Sequence, residues 1–245
     1  MDRDALLARA RTRGVNPLVY WILRAILQPF FHVYFRLERI GREHIPASGP
    51  VILASNHRSF LDPFVIAVMV RRPIYFVAKK ELFGFHPVVS WLLGALGAFP
   101  IDRGASDQQA MATARAILDR GGVVLMFPEG TRVRPGALGT ARRGVGRLAL
   151  ETGAPLVPCA ITGTEKIFRG GFPLPRRVQV AFSPPIPVSN LAPTPDAASE
   201  LIEDAVWPEV EGEYRRLRAR PTIITASLAA LGLGGGLLLR RKRRR

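Results

Sequence analysis

From residue 37 onward, short apolar and β-branched runs alternate with helix-patterned stretches, and this alternation leaves few architectures open. Runs at 51–55, 74–78, 98–101, 123–127, 156–161 and 178–182 have the length and content of buried strands. Between and after them, 62–70, 87–93, 106–120, 144–152 and 197–218 read as helices. Asp62-Pro63 is a start signal, a capping side chain followed by proline, and Gly121-Gly122 stops the 106–120 helix. The proline-rich stretch 183–195 is a loop, and no internal repeat is visible. Strands joined through helices cross over rather than fold back, so the fold class expected is α/β. It is a largely parallel sheet flanked by helices, with one core. Ligands of such sheets gather beyond the carboxyl ends of the strands.

The first 36 residues have a different texture. A polar, helix-prone stretch at 5–13 precedes PLVYWILRAILQPFFHVYF at 17–35, which is apolar and aromatic but interrupted by Arg24, Gln28, Pro29 and His32. Those interruptions make a poor membrane span. They suit a helix lying in a membrane interface, with Tyr20, Trp21 and the phenylalanines at headgroup depth, or a core helix bent at proline. A second apolar segment, 222–239, is borderline for a bilayer core and weakened by four glycines. Three regions are therefore expected: a membrane-interfacial helical segment at 1–36, an α/β domain at 37–220, and an apolar segment with a basic tail at 221–245.

Charge narrows the partners. The chain carries a formal net charge of +16, and six of those charges form the run Arg240-Arg241-Lys242-Arg243-Arg244-Arg245. Such an excess implies a polyanionic partner: nucleic acid, an anionic bilayer or a phosphorylated substrate. No nucleic-acid recognition module or interleaved aromatic accompanies the basic run, so an anionic membrane surface is the better reading and no nucleic acid is expected. The basic flanks on both sides of 222–239 suit attachment to one leaflet, on the cytoplasmic face of the cell membrane, as a peripheral or monotopic protein. The single cysteine, Cys159, forms no internal disulfide and fits a reducing compartment.

Two polar clusters sit at strand ends. Asn56-His57-Arg58-Ser59-Phe60-Leu61-Asp62 follows the 51–55 run. Histidine titrates near neutrality and takes a proton from a hydroxyl, and a carboxylate on its other ring nitrogen fixes the tautomer. Asp62 could equally do no more than cap the helix. Phe127-Pro128-Glu129-Gly130-Thr131-Arg132 follows the 123–127 run. There Gly130 permits close backbone approach and Arg132 offers a planar fork for phosphate, unless the segment is a solvated turn. Ser59 and Cys159 are alternative nucleophiles for a covalent route. His32, His44 and His86 have no metal-ligand spacing, and no zinc, nucleotide-fold or phosphate-loop signal is present, so neither metal nor cofactor is expected.

The first cluster resembles the His-(four residues)-Asp motif of the glycerolipid acyltransferases, and the second resembles that family's third motif. Gly97 to Gly104 resembles the second motif and Val157 to Gly163 the fourth, while Ala78-Lys79-Lys80-Glu81-Leu82 also has the family's look. All four motifs occur in family order across about 37–182, and the wording is most like the 1-acylglycerol-3-phosphate acyltransferase branch. The resemblance implies that His57 is general base for an acceptor hydroxyl and that Asp62 orients it. The donor would be acyl-CoA or acyl carrier protein, and the acceptor a lysophospholipid. Arg103 and Arg132 would hold the acceptor phosphate, and Glu129, Gly130 and Thr131 would help place the acceptor. Phe99, Pro100, Val157 and Pro158 would border the acyl channel. Acylation of another lysophospholipid or of glycerol 3-phosphate, and a non-catalytic lipid-binding protein, remain as alternatives.

Overall fold

The computed structural model describes residues 3–102, 107–133, 136–169 and 172–219. The 222–239 segment and the basic run after it lie outside the described residues. Strands β1 (Glu38–Ile40), β2 (Val51–Ser55), β3 (Ile74–Lys79), β4 (Ala98–Ile101), β5 (Val123–Met126) and β6 (Leu156–Thr162) come first. A small ribbon, β7 (Phe168–Arg169) with β8 (Phe172–Pro173), precedes β9 (Gln179–Phe182). The helices are α1 (Arg3–Thr12), α2 (Pro17–Tyr34), α3 (Asp62–Met69), α4 (Pro87–Ala95), α5 (Gln108–Asp119), α6 (Gly144–Thr152), α7 (Pro195–Glu200) and α8 (Trp207–Ala219).

Among the described residues, seven strands form one sheet in the order β1-β9-β6-β2-β5-β3-β4. Its pairings are parallel except β6 with β9. The exception has a simple cause. The β6–β9 connection carries a ribbon instead of a crossover helix, so the chain returns antiparallel. β1 has no apolar signature, since it reads Glu-Arg-Ile. Its register on β9 is held by Glu38, which takes hydrogen bonds from Arg177 and Gln179.

β2 is buried along its whole length, as a strand covered on both faces must be. Its alternate residues feed opposite layers. Leu53 joins Leu125 and Val157 on one face, while Ile52 and Ala54 join Val124 and Met126 on the other. The region 195–219 is one continuous helical rod rather than a uniform α-helix. A π-helical turn, Leu201–Val206, separates α7 from α8 just before Pro208, which cannot donate the next backbone hydrogen bond.

The N-terminal helices are packed on the domain. Leu6, Leu7 and Ala10 of α1 are buried, and Arg3 pairs with Asp107 at 2.5 Å at the N-cap of α5. In α2, Tyr20, Arg24 and Phe31 face inward, whereas Leu18, Ile22, Ile26 and Val33 are 70, 51, 59 and 81% exposed. Those outward positions recur at helical spacing and form an apolar stripe that is exposed among the described residues. Phe85, Val88 and Trp91 at and within α4 are likewise exposed. Among the described residues, no helix is long and apolar enough to cross a membrane.

Candidate active site

Because β2, β5, β3 and β4 run parallel in neighbouring positions, their carboxyl ends open on one edge. Asn56 leaves β2 and bonds to Ile161 of β6 through both ends of its amide, at 2.8 and 3.0 Å. This side-chain pair extends the sheet contact by one residue and fixes the direction in which the chain departs. His57 follows, and its Nδ1 lies 2.8 Å from Asp62 Oδ2. The same oxygen accepts the backbone N–H of Arg58 at 2.6 Å and of Ser59 at 2.7 Å.

These three donors explain the loop. It wraps around one fully buried carboxylate oxygen, and the helix begins only afterward. Asp62 is therefore the first residue of α3 and not its cap. Leu61 holds the cap position, and the Asp62 carboxylate turns back toward the loop instead of bonding the helix amides. The His57 ring stacks on Phe127, with centroids 4.0 Å apart and planes 19° apart. With Nδ1 engaged, Nε2 is the nitrogen available to a bound hydroxyl.

Glu129 is buried at 4% exposure, and its two oxygens are committed to backbone. One accepts the N–H of His57 at 2.7 Å and the other the N–H of Gly139 at 2.8 Å. It is a brace between two loops and does not itself line the cleft that His57 lines. Burial pushes its pKa up, while the amides of Gly139 and His57 and the charges of Arg58 and His57 oppose the shift. Gly130 has φ +68°, and a Cβ there would lie 3.4 Å from the guanidinium carbon of Arg142. Thr131 is exposed. Arg103 lies outside the described residues.

His57 lines a cleft of about 610 Å³. Phe60, Pro63 and Phe64 before and within α3, Leu82, Val89 and Leu93 before and within α4, and Phe76, Val77, Ile101 and Met111 supply its apolar lining. Gly130, Arg132 and Arg142 line it at the polar end, with Lys79 also on its wall. Phe99, Pro100, Val157 and Pro158 do not line it. The reason is topological: β6 lies on the far side of β2 from the cleft, and Phe99 is fully buried in the layer beneath α5. The lining aromatic and aliphatic residues of α3 and α4 carry no motif signal beyond an apolar helix face. Arg142 reads in sequence as one of many surface arginines.

The alternative nucleophiles lack a base. Ser59 Oγ accepts the N–H of Leu61 at 3.3 Å. Cys159 is fully buried, and burial pushes its thiol up to about 12. Other histidines serve the backbone: His86 caps α4 and His44 bonds to the Phe182 carbonyl at 2.8 Å. The arrangement is thus a buried carboxylate–imidazole pair, beside an apolar cleft, with guanidinium groups at its mouth. It is suited to deprotonating a hydroxyl on a molecule that carries both a hydrocarbon chain and an anion.

Comparison with known proteins gives a consistent placement. The profile of the family described as Acyltransferase matches residues 36–162, just over half of the chain. The chain is 33% identical over 141 residues to the chloroplastic 1-acyl-sn-glycerol-3-phosphate acyltransferase BAT2 of Brassica napus. That match takes in 56% of this chain and 40% of the plant protein. It is 28% identical to the 1-acyl-sn-glycerol-3-phosphate acyltransferase alpha of Mus musculus, covering 94% of this chain and 78% of that one. The crystal structure of the 1-acyl-sn-glycerophosphate (LPA) acyltransferase PlsC from Thermotoga maritima superposes with a TM-score of 0.64. It covers 81% of this chain and 83% of that one at 22% identity, a likeness of fold.

Proposed function

The chain belongs to the acyltransferase family, and from that premise we propose that it acylates the free hydroxyl of 1-acylglycerol 3-phosphate from a thioester, giving phosphatidic acid. The observation that carries the reading is the His57–Asp62 pair opening into an apolar cleft with Arg132 at its polar end. His57 Nε2 takes the proton of the acceptor hydroxyl as its oxygen attacks the thioester carbonyl. Asp62 holds the ring and stabilises the imidazolium that forms. Collapse of the tetrahedral adduct breaks the carbon–sulfur bond, and the departing thiolate of coenzyme A or acyl carrier protein recovers the proton from His57. The apolar cleft holds hydrocarbon, and Arg132, with Arg103, binds the acceptor phosphate through charge-assisted hydrogen bonds.

The stripe exposed on α2 among the described residues and the exposed apolar residues around α4 support attachment to a membrane as a peripheral or monotopic protein, and the basic excess of the chain favours an anionic, cytoplasmic leaflet. Phe60, Leu82 and Val89 are both exposed and part of the cleft wall, so the cleft opens beside that apolar surface. An acceptor panel tests the proposal: purified protein, acyl-CoA, and thiol release measured with lysophosphatidate, other lysophospholipids, glycerol 3-phosphate and monoacylglycerol. Preferred turnover of lysophosphatidate, abolished in His57→Ala with acceptor binding retained, is the expected result. Binding without thiol release in the wild type identifies a non-catalytic lipid binder instead.

A further inference from the structure

Arg58 follows the proposed base, yet its side chain points away from the cleft and into a turn. Its guanidinium is buried and donates to three carbonyls of that turn: Val133 at 3.3 Å, Gly136 at 3.0 Å and Ala137 at 3.1 Å. It also donates to the hydroxyl of Tyr214 at 2.8 Å and lies 4.8 Å over the Tyr214 ring. The Tyr214 hydroxyl in turn reaches the Gly136 carbonyl at 3.5 Å. Arg218 sits 5.6 Å from the same ring and donates to Gly136 at 3.3 Å. Tyr214 is itself buried and comes from α8, well beyond the residues that the family profile matches.

The turn that receives these bonds is the one that presents Arg132. Its first anchor is the Val133 N–H, which donates to the His57 carbonyl at 3.0 Å, and its last is the Gly139 N–H on Glu129. Between those anchors, the carbonyls at 133, 136 and 137 all accept from the Arg58 guanidinium, and that of Gly136 is shared with Arg218 and the Tyr214 hydroxyl. A guanidinium has a rigid fork of donors, so its position is only as definite as the acceptors around it. The Tyr214 hydroxyl, bonded to the same terminal nitrogen that serves Gly136 and Ala137, and the Tyr214 ring help to fix it there.

We propose that Tyr214 is a positioning residue for acceptor binding, acting through Arg58 to hold the carbonyls of Val133, Gly136 and Ala137 and so the direction of the Arg132 fork. The inference rests on the reading of Arg132 as a phosphate ligand. The His57–Asp62 pair has its own donors in the Arg58 and Ser59 amides, so the effect falls on binding of the phosphorylated acceptor and not on the chemical step.

The test is Tyr214→Phe, which keeps the ring beneath both arginines and removes only the hydroxyl. Arg218→Ala, at an exposed position, provides a second variant, and Arg132→Ala is measured alongside. Expected for Tyr214→Phe is a rise of about fivefold to tenfold in KM for lysophosphatidate with kcat within about twofold, the scale of one ordinary hydrogen bond. The KM for acyl-CoA and the efficiency on monoacylglycerol stay at wild-type values, and Arg218→Ala moves in the same direction by a smaller factor. Equal losses on both acceptors, or a fall in kcat alone, overturn the proposal. A phosphate-selective loss in Arg132→Ala without one in the other two variants overturns it while leaving the phosphate reading intact. No selective loss in Arg132→Ala removes the phosphate reading and this proposal together.

Discussion

Replacing Asp62 with asparagine keeps the shape of the side chain and removes its charge, so it isolates what the carboxylate contributes. One oxygen, Oδ2, accepts three donors at 2.6 to 2.8 Å, and an asparagine oxygen placed there still accepts all three. The other oxygen, Oδ1, is buried without a hydrogen-bond partner among the described residues. The new NH₂ group would replace one unpartnered polar group by another, while the three charge-assisted bonds to Oδ2 become neutral ones, a loss of about 1–3 kcal/mol of stability. The catalytic loss is separate. During attack His57 becomes an imidazolium beside Asp62, and unit charges about 4 Å apart at an effective dielectric of about 20 attract by about 4 kcal/mol. Removing that attraction lowers kcat by about three orders of magnitude, with KM for either substrate nearly unchanged. Asp62→Ala adds two stranded backbone donors and costs further stability, so thermal melts rank wild type above Asn above Ala. The assay is continuous thiol release from acyl-CoA at saturating lysophosphatidate, with melting curves on the same preparations. An asparagine variant retaining more than a tenth of wild-type kcat would refute the electrostatic role of this pair.

Arg132→Ala should weaken catalytic efficiency on lysophosphatidate by about tenfold or more while sparing monoacylglycerol, and lysine should restore only part of it for want of a planar fork; equal effects on both acceptors contradict this. Cys159 should resist alkylation in the folded protein at pH 8, because burial holds its thiol protonated, and modification at the rate of a free thiol excludes that account. Its folded pKa is raised from 9.0 to about 12, so its stabilising contribution is complete below pH 9 and lost as pH rises toward 12. The melting temperature of the wild type should accordingly fall relative to Cys159→Ala across that window, and parallel curves would argue against the shift. Ile22→Asp with Ile26→Asp should leave the fold intact, since both side chains are more than half exposed. It should reduce partition onto anionic vesicles by about thirtyfold or more, from roughly 1 kcal/mol of apolar burial per side chain. Unchanged co-sedimentation would place the membrane contact elsewhere.

Much of this architecture is written locally. Each parallel strand is a short apolar run bounded by turn residues, and each crossover helix carries its own start and stop signals, so pattern alone specified an α/β sheet and the order of its elements. The same reading put His57 and Asp62 in one loop, because five residues of chain hold them near each other whatever the rest does. It also put Arg132 at a strand end. The three-residue β1 was not legible, since it depends on a partner strand and an ion pair from more than a hundred residues away, and the antiparallel return of β9 was not legible because the connection from β6 carries no crossover helix. Side-chain direction was equally out of reach. Glu129 stands one residue from Gly130, yet it faces a pair of backbone amides, because a buried carboxylate must find donors and the loops of His57 and Gly139 supply them. Val157 and Pro158 carry motif wording but sit across β2 from the cleft, while Phe60, Leu82 and Val89 line it from segments at α3 and α4 that only the packed structure brings to His57. Sequence determined which groups exist and which are neighbours along the chain. The tertiary structure decided which of them meet, since burial forces each polar atom to take whatever partner the packed elements bring within reach.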